Sequence, residues 1–283
     1  MRLLPLVVAS FLLIVALPLR ADTIDLVNDQ NGTFDDWTTA TDWSNDQSPS
    51  VGNNYVVNFM TLRANAIYGG AQYSVAVFGG GSLAINNGTL NLNSEAYSQL
   101  EFDIAQLSIS NATFSSNIYS SLGSPLIYVN NLTINGSNTF MCTGELIANS
   151  ISGSGTLTFE GNPSVTNSFS GDASNFTGTV ATDNLTNFLL GLTNAENMTL
   201  DLGSSLENVY IQPAGVTVAH LNLFGTELNP GTYTASDLNT MLDEGSIFNG
   251  GDITVVPEPA PIALLSLALG ALLLPATRRL RLA

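Results

Sequence analysis

The sequence predicts an all-β fold, wound as a right-handed parallel β-helix over residues 22–255, and three observations carry the prediction. Short runs with apolar residues at alternate positions recur at a nearly constant interval. Leu83-Ala-Ile85, Leu107-Ser-Ile109, Leu132-Thr-Ile134 and Leu157-Thr-Phe159 follow one another every 24 or 25 residues. A second series runs Leu90-Asn-Leu92, Ala112-Thr-Phe114, Thr139-Phe140 and Pro163-Ser-Val165. Asn, Gly and Ser separate the runs, and these residues accept the left-handed backbone of sharp corners. Helix signals are scarce. Alternation puts every second side chain on one face. An interval in the twenties fits one solenoid coil, whose apolar residues stay dry only when the next coil stacks on them. An Asn at a corner can also hydrogen-bond to its copy one coil away. A β-sandwich or jelly roll is the rival architecture, because it too combines many short strands with turn signals.

Residues 1–21 have the build of a secretory signal peptide. Arg2 opens it, residues 3–17 are apolar, and Pro18-Leu19-Arg20-Ala21 offers cleavage after Ala21 by signal peptidase. Pro5 and the shortness of the run argue against an uncleaved anchor. Trp37 and Trp43 follow in the body, and with Tyr55 they are expected to cap the open end of the solenoid. An aromatic platform for neutral sugars is the second use open to them.

Later runs, Gly178-Thr-Val180, 198–202 and 216–223, continue the strands. Ala235-Ser-Asp-Leu-Asn-Thr-Met-Leu-Asp-Glu244 is the best helix, with Ser236 as N-cap and Leu238, Met241 and Leu242 on one face, and it reads as a terminal cap.

The C-terminus carries Pro257-Glu258-Pro259, then the uncharged run 262–274, then Arg278, Arg279 and Arg281. With its flanks, about 260–277, the run makes a transmembrane helix, and the arginines beyond it stay cytoplasmic. Tripeptide, apolar helix and basic tail in this order resemble a PEP-CTERM sorting signal, over 256–283. The resemblance implies processing by a membrane-embedded exosortase and delivery to the cell surface or the extracellular polysaccharide. It implies nothing about activity. Within the body, Phe169-Ser-Gly-Asp-Ala-Ser-Asn-Phe-Thr-Gly-Thr-Val180 is similar to the autotransporter-associated β-strand repeat. Trp37-Thr-Thr-Ala-Thr-Asp-Trp43-Ser with 49–59 resembles the entry motif of secreted repeat proteins bearing such tails. Gly231-Thr-Tyr-Thr-Ala-Ser-Asp-Leu-Asn239 with Gly251-Asp-Ile-Thr-Val255 resembles their closing segment.

Charge narrows the partners. The chain has no lysine, and Arg63 is the only basic residue between Asp22 and Glu258, a span that holds all 23 acids. Such a body repels nucleic acid and polyanions. Cations and neutral glycans remain compatible.

Candidate chemistry is sparse. Cys142 stands alone, so no internal disulfide forms, and it reads as a small buried hydrophobe. His220 is the single histidine; alternation puts it with Val216 and Val218 on one face and Leu221 and Leu223 on the other. One His and one Cys leave no zinc site of the usual ligands. Glu101 and Asp103, flanking Phe102, form the best carboxylate pair for glycoside hydrolysis, whereas Asp35-Asp36 and Asp243-Glu244 are sequence neighbours that point to opposite faces of a strand. Asp35, Asp36, Asp42, Asp46 and Asn45 could supply oxygens to calcium, and Asn249-Gly-Gly-Asp252 is an isolated fragment of a calcium-type repeat. No catalytic, cofactor or metal residues are assigned. The sequence reads as a secreted, non-enzymatic surface, matrix or biofilm protein of structural or adhesive function. Its partners would be the processing proteases, the membrane through the tail, and extracellular polysaccharide. A glycan-binding or glycan-hydrolysing β-helix is the alternative.

Overall fold

A computed structural model describes residues 21–30, 36–66, 73–94, 99–118, 126–141, 144–161, 166–184, 187–203, 206–243 and 246–257. Over them the chain forms a parallel β-solenoid. Each central coil has three walls, two of which share one sheet. Strand Gln99–Ser110 shows how: its first half pairs with Tyr73–Val77 and its second half with Ser82–Asn86. The strand bends around an edge of the coil at Ala105-Gln106, where two exposed residues in succession break the alternation. Asn130-Asn131 marks the same bend in Leu126–Asn135.

The third wall stacks Thr61–Ala66, Thr89–Ser94, Thr113–Ile118, Ser137–Met141, Thr156–Glu160, Thr179–Asp183, Thr199–Leu202 and His220–Leu223, all parallel. Among the described residues antiparallel pairing is confined to a bridge between Leu26 and Trp43 and to the closing strands Thr226–Glu227 and Gly231–Tyr233. That overturns the β-sandwich, whose sheets are antiparallel.

The core is a set of columns running through the coils. On the third wall Leu62, Leu90, Phe114, Phe140, Phe159, Thr182, Leu202 and Leu223 lie in register, one per coil. Phe114, Phe140 and Phe159 stack with ring centroids 5.6 and 5.0 Å apart. Burying each ring contributes about 1.5–3 kcal/mol, which a coil realises only when its neighbours cover it. Thr182 is the polar member, and its Oγ1 accepts a hydrogen bond from the Gly203 N–H at 2.9 Å.

The corner between second and third walls is left-handed in successive coils, at Phe59, Asn87, Asn111, Gly136 and Gly153 (φ between 51° and 104°). The expected Asn ladder is present. Asn111 donates to Asn87 across 3.2 Å, Asn86 to Asn58 across 3.0 Å, and Asn149 to Asn130 across 2.7 Å. At Gly153 a Cβ would fall 2.1 Å from the Ile134 carbonyl oxygen, so the coils approach there backbone to backbone.

Several sequence expectations are corrected. Leu157–Phe159 does not continue the Leu83 series: it stacks on Asn138–Phe140 on the third wall. Ile151 takes its place, in register with Leu132. The run 216–223 is not one strand. It turns at Ala219, so Val216, Val218, Leu221 and Leu223 all face inward, and His220 faces out with Thr217 and Asn222. The closing helix is Ala235–Leu242, and its N-cap is Thr234, not Ser236. Leu238 is buried as expected, but Met241 is 54% exposed.

Among the described residues no helix is long and apolar enough to cross a membrane. The leader 1–20, Asp35, Cys142, 163–165, Glu244 and the tail from Glu258, with Pro259, Arg278, Arg279 and Arg281, lie outside the described residues. Ala21 and Pro257 are the first and last described positions.

Candidate functional site

The outer surface of the first and second walls carries a groove that could receive a ligand. Strand alternation sends Phe102, Ile104, Ile127, Val129, Leu146 and Ala148 inward, all at most 2% exposed. The intervening residues face out and stack across coils: Val77, Asp103, Tyr128 and Ile147 form one outward column. The strands bend just beyond this column, so the wall curves there and a groove of about 300 Å³ opens along the edge. Val77, Asp103, Ala105, Tyr128, Asn130, Ile147 and Asn149 supply its exposed lining.

The polar groups of the groove are incompletely used. Asn149 spends one Nδ2 hydrogen on the Asn130 Oδ1, leaving Asn149 Oδ1 and Asn130 Nδ2 without a hydrogen-bond partner among the described residues. The Asp103 carboxylate and the Tyr128 hydroxyl are in the same state. Further along the column the Gln212 side chain lies over Gly191, where a Cβ would come within 2.4 Å of its Nε2.

Other candidates from the sequence fall elsewhere. Glu101 does share the outward face with Asp103, but its register neighbours are Val75 and Leu126. Trp37 and Trp43 are 2% and 0% exposed, so they cannot serve as a sugar platform. They pack with Tyr55, Phe78 and Phe102 at centroid distances from 4.9 to 6.4 Å, and Trp43 Nε1 donates to the Trp37 carbonyl oxygen.

The N-terminal acids are absorbed in separate tasks. Asp42 accepts from Gln30 Nε2 at 2.9 Å and from Asn28 Nδ2 at 3.3 Å, Asp36 accepts from the Thr38 N–H, and Asp46 occupies a left-handed turn. Asn45 accepts from the Gln47 N–H. Among the described residues no three His, Cys, Asp or Glu side chains are grouped to hold a metal ion. Asp243 is the left-handed C-cap of the helix. His220 Nδ1 lies 2.9 Å from Glu227 Oε1, an acid brought near by the hairpin that follows the strand.

Tyr128, Asn130 and Asn149 escaped sequence reasoning. Their signal was present: Phe102-x-Ile104-x-x-Leu107-x-Ile109, Ile127-x-Val129-x-x-Leu132-x-Ile134 and Leu146-x-Ala148-x-x-Ile151 share one pattern whose doubled gap is the bend. Comparison with family models, with curated proteins and with solved structures finds no match to this chain.

Proposed function

We propose that the protein is a secreted structural or adhesive element of a cell surface or extracellular matrix, sorted by its C-terminal PEP-CTERM-like segment. One observation carries most of the weight: a lysine-free, acidic body lies between an apolar leader and an apolar tail with arginines at its end. The positive-inside tendency then puts the body on the outer side of the membrane. Signal peptidase would act after Ala21. An exosortase-type protease would act near Pro257-Glu258-Pro259, with 260–277 as the transmembrane helix until then.

The architecture supports this reading. Winding right-handed, as parallel crossovers do, the coils make a rod about 35–40 Å long at the usual strand spacing. Both ends are covered. The chain leaves the solenoid at the far end from the aromatic cluster, where the Val256 N–H donates to the Val218 carbonyl oxygen just before Pro257. A tail attached there would stand the rod upright on the membrane with its aromatic cap outermost.

Mass spectrometry of protein recovered from the host's surface and medium tests the proposal. The expected mature chain begins near Asp22 and ends near the tripeptide. Recovery of the whole polypeptide from cytosol, leader attached, would overturn it.

A further inference from the structure

We infer that the groove beside Tyr128 binds a short stretch of neutral polysaccharide. This deepens the adhesive reading above and rests on it for the setting in which such a glycan is met. From Val77 to Ile147 the groove crosses three strand spacings, about 14 Å, which accommodates two or three sugar units. Its volume of about 300 Å³ stands at the lower bound for small-ligand sites.

The chemistry of the lining selects the class. Tyr128, Val77 and Ile147 offer apolar surface against which the C–H face of a pyranose packs. Asn130 Nδ2, Asn149 Oδ1, the Asp103 carboxylate and the Tyr128 hydroxyl present both donors and acceptors, the combination that vicinal hydroxyls need. The Asn130–Asn149 hydrogen bond fixes those amides before any ligand arrives, which lowers the ordering cost of binding.

No cationic side chain lines the groove, and Asp103 is within it, so uronic or sulfated polymers are disfavoured. A peptide added as an extra strand is disfavoured too, because the groove runs across strands whose backbone groups are already paired along the coils.

The test is calorimetric titration of the full chain, held in a detergent without a sugar headgroup. Neutral oligosaccharides of glucose, mannose, galactose and N-acetylglucosamine serve as ligands, with oligogalacturonate and an oligo-arginine peptide as competitors. At least one neutral series should bind with an affinity that salt leaves unchanged, as expected for an uncharged ligand. Tyr128→Ala should weaken it at least about tenfold, roughly 1.4 kcal/mol, and Tyr128→Phe by less. Ala105→Trp, which fills the groove without removing a native contact, should abolish it while thermal unfolding stays as in the wild type. The inference is overturned if no neutral series binds, if Ala105→Trp binds like the wild type, or if only the uronate or the peptide binds. None of these failures bears on where the tail is cut, which is read separately by mass spectrometry.

Discussion

The two ends of the solenoid solve one problem by different means. Each must cover an apolar rung and the strand edges that would otherwise recruit another chain. At the N-terminal end the cover is made of bulk: Trp37, Trp43, Tyr55, Phe78 and Phe102 interlock, and all are buried. Polar groups are tied in over long sequence separations. Gln30 accepts from the Arg63 N–H through Oε1 and donates to Asp42 through Nε2. At the C-terminal end the cover is the helix Ala235–Leu242, in which Leu238 alone is fully buried. Much of what holds it is local, in the reciprocal bonds of Thr234 and Asp237. A helix of this length is marginal by itself. The N-terminal end is therefore locked by packing, and the C-terminal end is the one expected to open first.

Three substitutions can break or sharpen this contrast. The largest effect is expected from Trp43→Ala, about 3–5 kcal/mol, read as a lower urea midpoint. Leu238→Ala should cost about 2–3 kcal/mol. Its hydrogen-exchange protection should fall only around 216–255, leaving the strands from Thr113–Ile118 to Thr156–Glu160 protected. Equal costs at the two sites, or loss of protection throughout in the second variant, would erase the distinction.

Asp237→Asn should have the smallest effect, and it should depend on pH. Hydrogen bonds from the Thr234 side chain, then from its backbone N–H, hold the Asp237 carboxyl below its ordinary value of 3.8. A lowered folded-state pKa contributes stability above the unfolded value, and that contribution disappears as pH falls through the folded one. The variant should thus melt lower than the wild type near neutrality and match it in strong acid. A melting difference that persists unchanged into acid would place the effect outside the capping box. Asp172, held down first by Asn194 and then by the Ser174 N–H, follows the same sign.

The repeating coil was legible because its causes are local. Alternation fixes which side chains face in, and Asn87 and Asn111 announce left-handed corners before any fold is known. The assignment of strands to walls was harder, since one corner is nearly constant and another is not. Between second and third walls stand two residues in most coils, 87–88, 111–112, 154–155 and 177–178, with 136 alone and 194–198 as the departures. Between the third wall and the next coil stand 95–98 in one case and 119–125 in another. That unevenness blurs the period and moved Leu157–Phe159 onto the wrong series. In the two strands Gln99–Ser110 and Leu126–Asn135 the bend carries no Gly or Pro, only a doubled outward position, so the groove it shapes went unread. His220 failed for a related reason: Ala219, an ordinary residue, turns the chain and resets the alternation.

Arg63 lies in strand Thr61–Ala66, where its N–H donates to Gln30 and its carbonyl oxygen accepts from the Trp37 N–H at 2.7 Å. It is also the sole position between Asp22 and Glu258 that a trypsin-like enzyme recognises. The one susceptible bond is thus held extended and clamped on both sides, out of reach of a protease cleft that must take hold of it. With no ε-amino group anywhere along the chain, ubiquitin-like tagging and amine cross-linkers also find nothing to attack on its side chains. In a proteolytic medium such a body would keep its integrity through the residues it omits.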